Sequence, residues 1–447
     1  MPVPVSGPVL LLPVLALLGI GVAFAMYAYP PPSAAFALAA GIGLLIVLAI
    51  ALVRYESAAL LGFLLLGVVL VEPAPPDLVF AVVIALAVTT GRFDVGRVPV
   101  VIGSLLVLFL ALNLLSVIEA ADAGRALAFA IITLYLIVFG VWLAGFVRSV
   151  DRARLVVTGY LAAAVISAVL GSLALIVPFP GSETFLYEGV DRAKGLFADP
   201  NVFGPFLVPA ALIVLQEAVE PRLLRFGRIW KVLLFAVLVV GVLLSFSRGA
   251  WLNLAVALVV MIGIFLVRRG GARRIPALVA VIAAAAIGAT GAISLAGSEE
   301  FIEERTAAQP YDAERFAAQG AGVAQAGEYP LGIGPGQFEN VNRYAAHSTY
   351  VRVLSEQGAL GFFTLVALML ATLVLGASNA ARGRTAFGIG SAALLAAWCG
   401  ILANSVVVDT LHWRHLWMIA ALIWVASMQP VERGTLTAAA SRRPLGP

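Results

Sequence analysis

The sequence predicts an all-α, polytopic integral membrane protein with about 12–14 transmembrane helices and one long ordered extracytoplasmic loop. Of 447 residues, 62% are hydrophobic and 12% are charged, whereas a soluble domain carries about a quarter charged residues. Apolar runs of bilayer-spanning length follow one another along the chain. Because backbone groups in lipid must be satisfied internally, such a chain forms helices or a closed barrel. Continuous apolar runs, rather than short alternating segments, favour helices.

Fourteen spans are predicted from these runs, and twelve is the alternative count. The first is interpreted as a permanent span rather than a cleaved signal peptide, because no basic segment precedes it and the first arginine is Arg54. The spans are 9–29, 34–53, 58–71, 78–90, 98–118, 126–147, 155–179, 202–216, 230–246, 250–267, 275–296, 349–377, 385–407 and 413–428.

The charges of the connections predict which side of the membrane each one faces. Alternate connections carry most of the basic residues, which identifies them as cytoplasmic. Both termini are then cytoplasmic, and the other connections are extracytoplasmic. One of these, 297–348, is far longer than an ordinary connection. Its apolar and aromatic content predicts that it is ordered, with a helix from Asp312 to Gln325 on the membrane face and a rigid, turn-rich segment from Tyr329 to Gly336.

Basic residues lie where four spans begin on the extracytoplasmic side. Because these spans run inward, their N-terminal ends, with free N–H groups and partial positive charge, face that side. Cations at such ends are favourable if an anion binds there, and a diphosphate is a candidate because arginine binds it bidentately. The residues concerned are Arg192, Lys194, Arg248, His347, His412, Arg414 and His415.

Simpler structural roles remain open for several of them. Asp199-Pro200-Asn201 is also a typical helix cap and start, and Ser247-Arg248-Gly249 is compatible with a tight turn. Arg352 and Glu356 have the spacing of an ordinary helix pair. His412 and His415, next to tryptophans, are compatible with interface anchors.

Several classes of chemistry are not indicated by the sequence. Cys399 is the single cysteine, so neither a disulfide within the chain nor a Cys/His metal cluster is expected. No Asp-x-Asp pair lies on an extracytoplasmic connection, and no Walker loop, dinucleotide fingerprint or nucleophile elbow is present. We therefore expect no metal, no cofactor and no nucleic acid partner. Any reaction must use an energised substrate already in the membrane, such as a polyprenyl-diphosphate-linked sugar.

Residues from about 190 to 365 resemble the O-antigen ligase and O-antigen polymerase family. The resemblance rests on motifs in the family's order, with the long loop in the expected place: Gly195-Leu196-Phe197-Ala198-Asp199-Pro200-Asn201 after Arg192, Ser245-Phe246-Ser247-Arg248-Gly249-Ala250, Pro330-Leu331-Gly332-Ile333-Gly334-Pro335-Gly336-Gln337-Phe338, His347-Ser348-Thr349-Tyr350 and Glu356-Gln357-Gly358. It implies N-terminal transmembrane helices over 1–180, a catalytic transmembrane region over 181–428 that includes loop 297–348, and a cytoplasmic tail over 429–447.

The resemblance also implies a function and a set of site residues. It implies a metal-independent, inverting glycosyltransferase of the bacterial inner membrane that moves a glycan from undecaprenyl diphosphate to an acceptor hydroxyl. His347 would accept the acceptor's proton or align its hydroxyl. Arg192 and Arg248 would bind the diphosphate, with Lys194 and Arg315 as further contacts. Asn201, His412, Arg414 and His415 are expected to hold the substrate-binding residues in place or to contact the acceptor. The family commonly has asparagine after the histidine, where this chain has Ser348.

The acceptor and some alternative functions stay open at this point. A ligase would use lipid A core or protein as its acceptor, and a polymerase would use a second lipid-linked glycan. A transporter for a lipid-linked sugar would carry ionisable groups at mid-membrane, where the spans carry mainly Asn113, Asn253 and Asn404. A peptidoglycan polymerase of the shape, elongation, division and sporulation type would depend on a loop aspartate rather than on His347.

Overall fold

The computed structural model describes residues 33–177, 179–187, 192–268, 270–297, 307 and 309–430, and these form a helical bundle. The predicted span 9–29 and residues 431–447 of the predicted tail lie outside the described residues. The helices are α1 (Ser33–Val53), α2 (Tyr55–Leu64), α3 (Pro75–Thr89), α4 (Val100–Leu115), α5 (Ala123–Phe146), α6 (Val150–Ile176), α7 (Pro200–Val219), α8 (Arg228–Leu244), α9 (Arg248–Val267), α10 (Ile275–Leu295), α11 (Pro310–Glu328), α12 (Phe338–Val341), α13 (Thr349–Ala381), α14 (Ser391–Asn404) and α15 (Arg414–Ser427).

Seven helices of the described residues are long and apolar enough to cross a membrane, namely α4, α5, α6, α7, α9, α10 and α13. Every predicted span after the first overlaps a helix. The prediction of an all-α, polytopic membrane protein is therefore confirmed. Helix α7 lies at the centre of the bundle, because nearly all of its residues are buried against α6, α8, α9 and α14.

Two predicted spans are shorter than expected. The span predicted over 58–71 ends as helix α2 at Leu64, because the chain beyond it turns and Val69 pairs through its backbone with Leu196 and Ala198. The span predicted over 385–407 begins as a two-stranded hairpin, β1 (Thr385–Ala386) and β2 (Ile389–Gly390), before α14 starts. In both places a turn uses apolar residues that composition alone assigns to a span.

The connections fall into two groups on opposite ends of the bundle. We call the first the arginine-rich side and the second, which carries the long loop, the loop side. Each ion pair recorded between described residues joins two residues at the same end, for example Arg268 with Glu220 on one side and Arg248 with Asp312 on the other. This matches the grouping predicted from charge. The described residues of the connections are 54, 90–99, 147–149, 220–227, 268, 270–274 and 382–390 on the arginine-rich side, and 65–74, 116–122, 177, 179–187, 192–199, 245–247, 296–297, 307, 309–348 and 405–413 on the loop side.

Candidate active site on the loop side

A cavity of about 300 Å³ opens on the loop side, where the first turns of α7 and α9 meet helix α11 and the turn at 405–408. We call it the loop-side cavity. Its lining residues are Asn201, Arg248, Gly249, Leu252, Asp312, Arg315, Phe316, Gln319, Val407 and Val408. Three predicted site residues, Asn201, Arg248 and Arg315, thus contribute directly to one cavity.

Capping residues set where α7 and α9 begin. Asp199 accepts a hydrogen bond from the Asn201 N–H at 2.7 Å, with proline at the first helical position. Ser247 caps α9 by accepting from the Ala250 N–H at 3.3 Å. Gly204 lets the two helices approach closely, since a Cβ there would lie 2.7 Å from the Ala250 Cβ of α9. The cap predicted at Asp199 is confirmed, whereas Ser247, interpreted as part of a tight turn, is the N-cap of α9. The two caps bring two positive helix ends to one cavity.

Arg248 is paired with a carboxylate of the loop helix. Its two terminal nitrogens donate to the two Asp312 carboxylate oxygens at 2.9 and 2.5 Å, and this hydrogen bonding lowers the pKa of Asp312 to about 2. The bidentate geometry is the one by which arginine also holds a phosphate. Asp312 therefore presents an anionic group to Arg248 inside the cavity.

The other two arginines are held in place by backbone oxygens. Arg315, one turn along α11 from Asp312, donates to the Val407 carbonyl oxygen at 2.9 Å. Arg192 is buried, and it donates to the Ser245 carbonyl oxygen at 3.0 Å and to the Asn201 side-chain oxygen at 3.1 Å. Arg192 thus reaches the loop-side cavity through Asn201. Lys194 is buried on the same segment and is not among the described residues that line the cavity.

His347 lies beside the loop-side cavity at the start of α13. Gln319, a lining residue, donates to the His347 carbonyl oxygen at 3.5 Å, and the His347 backbone has a φ of 45°. Burial lowers the pKa of His347 below 6.5, and the positive charge of Arg315 lowers it further, while Asp199 opposes the shift. The imidazole is therefore neutral near pH 7, which a proton acceptor requires.

Ser348 has a structural role next to the histidine. It is the N-cap of α13, accepts from the Val351 N–H at 3.4 Å and donates to the Ser405 carbonyl oxygen at 3.4 Å. The Thr349 N–H donates to the same carbonyl oxygen at 2.9 Å. The first turn of α13 thereby holds the 405–408 turn, whose Val407 carbonyl positions Arg315.

The turn-rich segment 329–338, here called the strap, is anchored to α13. The Glu356 carboxylate accepts from the Gly336 and Phe338 N–H groups at 2.9 and 3.1 Å. Gly358 interrupts α13 with a φ of 66°, and a Cβ there would meet the Pro330 carbonyl oxygen. Gly358 therefore allows the kink in α13 and leaves room for the strap, which gives this glycine a packing role.

Arg352 links three parts of the loop side. It lies 3.5 Å from Glu356, as its spacing predicted, but it also pairs with Glu339 after the strap and with Asp409 at 2.9 Å. Arg352 is nearly buried, so these carboxylates offset a charge held away from water. Sequence reasoning missed Glu339 and Asp409, because neither lies at a helical spacing from Arg352.

The residues predicted near the start of α15 contact other helices. His412 hydrogen-bonds the Thr133 hydroxyl at 3.0 Å, and burial lowers the pKa of His412 to about 4. Arg414 pairs with Asp77 and with Glu72. His415 is buried against the Phe206 and Trp413 rings. None of the three is among the described residues that line the loop-side cavity.

The described residues contain no group of three or more His, Cys, Asp or Glu side chains suited to a metal ion. The expectation of a metal-free and cofactor-free reaction stays a prediction. What the site offers is a set of fixed cations and helix N-termini beside a neutral imidazole. Such a set can bind an anionic group and accept a proton near it.

The fold and this site define a polytopic, all-α membrane protein with a cationic cavity between helix N-termini. Residues 233–366 match the family model described as O-Antigen ligase, so this part of the chain is similar to that family. The match confirms the resemblance for the motifs from Ser245 to Gly358, and the motif at 195–201 lies outside the matched residues. The matched residues include Arg248, Arg315 and His347. No match was found among curated proteins.

Proposed function

We propose that this protein transfers a glycan from undecaprenyl diphosphate to an acceptor hydroxyl at the loop-side cavity. The observation that carries the proposal is the convergence of Arg248, Arg315 and the N-termini of α7 and α9 on one cavity next to His347. The loop side would then be extracytoplasmic in the bacterial inner membrane, with the arginine-rich side and both termini in the cytoplasm.

In the proposed reaction, the acceptor oxygen attacks the anomeric carbon of the donor sugar. The acceptor's proton moves to the His347 imidazole, and the bond between the sugar and the diphosphate breaks with its electron pair leaving on the diphosphate. Negative charge grows on the leaving group, where Arg248, Arg315 and the helix ends stabilise it. Attack opposite to the leaving group inverts the anomeric configuration, and neither a metal nor a cofactor takes part.

Arg192 and Lys194 belong to the proposal in different ways. Arg192 orients Asn201 toward the cavity and supplies a further positive charge near the donor, in addition to Arg248 and Arg315. Lys194 would add charge from the buried segment behind the first turn of α7. His412, Arg414 and His415 would act on the acceptor side only indirectly, because they contact α3, α5 and α7.

The test is transfer by purified protein supplied with a polyprenyl-diphosphate-linked oligosaccharide. His347→Asn is the informative variant, because asparagine tolerates the positive φ at this position and removes the imidazole. We expect His347→Asn and Arg248→Ala to abolish transfer, while Arg343→Ala, an exposed arginine on the same loop, leaves it unchanged. Transfer that survives in both site variants would overturn the proposal.

The acceptor is identified by varying one component of the same assay. Product formed only with lipid A core indicates a ligase for that acceptor, and product formed only with a protein indicates a protein ligase. Chain elongation with the lipid-linked glycan alone indicates a polymerase. Loss of activity in chelator would contradict the metal-free mechanism, and retention of the anomeric configuration would contradict inversion.

A further inference from the structure

A recess of about 590 Å³ lies on the arginine-rich side, far along the bundle from the loop-side cavity. It is lined by Arg54, Tyr55, Glu56, Ser57, Arg92 and Arg152. A smaller space of about 130 Å³ shares Tyr55, Arg92 and Arg152 with it and adds Arg148 and two aromatic side chains. We call the two together the arginine recess. Its size is in the range of small-ligand sites.

Positive charge exceeds negative charge in the arginine recess. Arg148 pairs with Asp94 at 3.4 Å, and Arg152 pairs with Glu56 at 2.8 Å. Arg92, a lining residue of both spaces, has no carboxylate within ion-pair distance among the described residues, and the same holds for Arg54 within that part of the chain. Two cations therefore remain to attract an anion.

Aromatic rings orient the guanidinium groups of the arginine recess. Arg92 lies over the Tyr55 ring at 5.3 Å, and Arg152 lies over the Phe146 ring at 5.0 Å. The Tyr55 hydroxyl oxygen accepts from the Trp142 indole N–H at 2.7 Å, so its own proton remains available for donation. A planar guanidinium held over a ring keeps its edge N–H groups for phosphate oxygens.

Exposed apolar side chains adjoin the arginine recess. Val53 precedes Arg54 and is 81% exposed, Val88 lies one turn before Arg92 and is 57% exposed, and Val150 adjoins Arg148 and is 44% exposed. In a membrane-spanning bundle such side chains face acyl chains, and the recess lies where the helices end, at the depth of lipid phosphates. A soluble phosphate would not use this apolar border.

We propose that the arginine recess binds the phosphate of an anionic phospholipid headgroup in the leaflet on the arginine-rich side. The phosphate oxygens accept hydrogen bonds from Arg92, Arg54 and the Tyr55 hydroxyl, and the acyl chains lie against the neighbouring valines. The site is separate from the proposed glycan transfer and does not depend on it.

The test is titration of the full-length protein in neutral detergent with a fluorescent short-chain phosphatidylglycerol. The double variant Arg54→Gln/Arg92→Gln removes the two cations without a carboxylate partner. The double variant Arg225→Gln/Arg382→Gln is the matched control, because it removes the same charge from exposed positions on the same side. Arg54→Lys/Arg92→Lys restores the charge, and monodispersity and melting temperature report whether each variant is folded.

We expect the recess variant to bind phosphatidylglycerol about thirtyfold more weakly, the effect of removing two basic groups that face a lipid phosphate. The control variant should keep wild-type affinity, and the lysine variant should recover most of it. Equal losses in the recess and control variants would overturn the proposal. So would equal affinity for phosphatidylcholine, or displacement of the lipid by inorganic phosphate at the same concentration.

Discussion

The ion pair between Arg248 and Asp312 predicts that Asp312→Asn strengthens donor binding. In the structure both terminal nitrogens of Arg248 donate hydrogen bonds to the Asp312 carboxylate. A diphosphate that binds Arg248 must therefore displace this carboxylate or share the guanidinium with it. The arginine and aspartate side chains are 31% and 21% exposed, so the pair is partly hydrated. Such an ion pair stabilises the protein without donor by about 1 kcal/mol. Removing the Asp312 carboxylate should therefore lower the donor KM about fivefold.

A change of pH does not open this ion pair in the physiological range. The Arg248 hydrogen bonds lower the pKa of Asp312 from 3.8 to about 2. Because the folded-state pKa is lowered, the stability that the ionised pair adds is present above the ordinary pKa and is lost as the pH falls through about 2. Between about pH 5 and pH 8 only a competing anion can take Arg248 from Asp312.

Initial rates at varied donor concentration test this prediction. Glu328→Gln is the control, because it removes the same charge from the exposed end of the same helix. We expect the donor KM to fall about fivefold for Asp312→Asn and to stay at the wild-type value for Glu328→Gln. A donor KM that rises for Asp312→Asn would refute the reasoning, since the carboxylate would then help donor binding rather than compete with it.

Three further predictions follow from the site and the strap. In the pH profile of kcat/KM, the acid limb should have its midpoint below pH 6.5, because burial and Arg315 lower the pKa of His347. Arg315→Gln should move this midpoint upward, and a downward move would contradict the assignment of His347 as the proton acceptor. Gly358→Ala should cost about 2 kcal/mol of stability, because its backbone conformation is nearly restricted to glycine. In contrast, Gly320→Ala, with open space at its Cβ on α11, should stabilise by about 0.5–1 kcal/mol; thermal melts in detergent compare the two. Glu356→Gln should lower the free energy of unfolding by about 2 kcal/mol, because the glutamine amide would point an N–H donor at one of the two strap N–H groups that the carboxylate now accepts. An unchanged melting temperature would rule out the anchoring role.

The direction in which each helix crosses the bundle could be predicted from the sequence. Which helices are neighbours in the bundle could not. Alternation of apolar runs and basic connections orders the helix ends into two sides, and the ion pairs of the structure join residues within each side. Four helix N-termini with nearby cations were predicted on one side. Which of them are neighbours depends on packing between helices far apart in sequence, and this places α7 and α9 together while Arg414 of α15 pairs with Asp77.

The structure of the long loop was partly predictable, because its helix follows from local sequence pattern whereas its contacts do not. A helix from Asp312 to Gln325 was predicted from local pattern, and α11 confirms it with slightly wider bounds. The contacts that place this helix over the cavity are long-range, as with Arg315 and the Val407 carbonyl. The role of Asp312 could not be predicted, because a carboxylate in the first turn of a helix is already explained by the helix dipole.

Ser348, the residue after His347, departs from the motif and still caps the helix that follows. The resemblance leads one to expect asparagine there, and this chain has Ser348. In the structure the side chain at position 348 caps α13 and binds the Ser405 carbonyl oxygen. Serine and asparagine are comparable N-caps, so either residue starts the helix at the same point. The positive φ of His347 lies immediately before this cap, so the backbone that carries the histidine turns into α13 at the point that Ser348 sets.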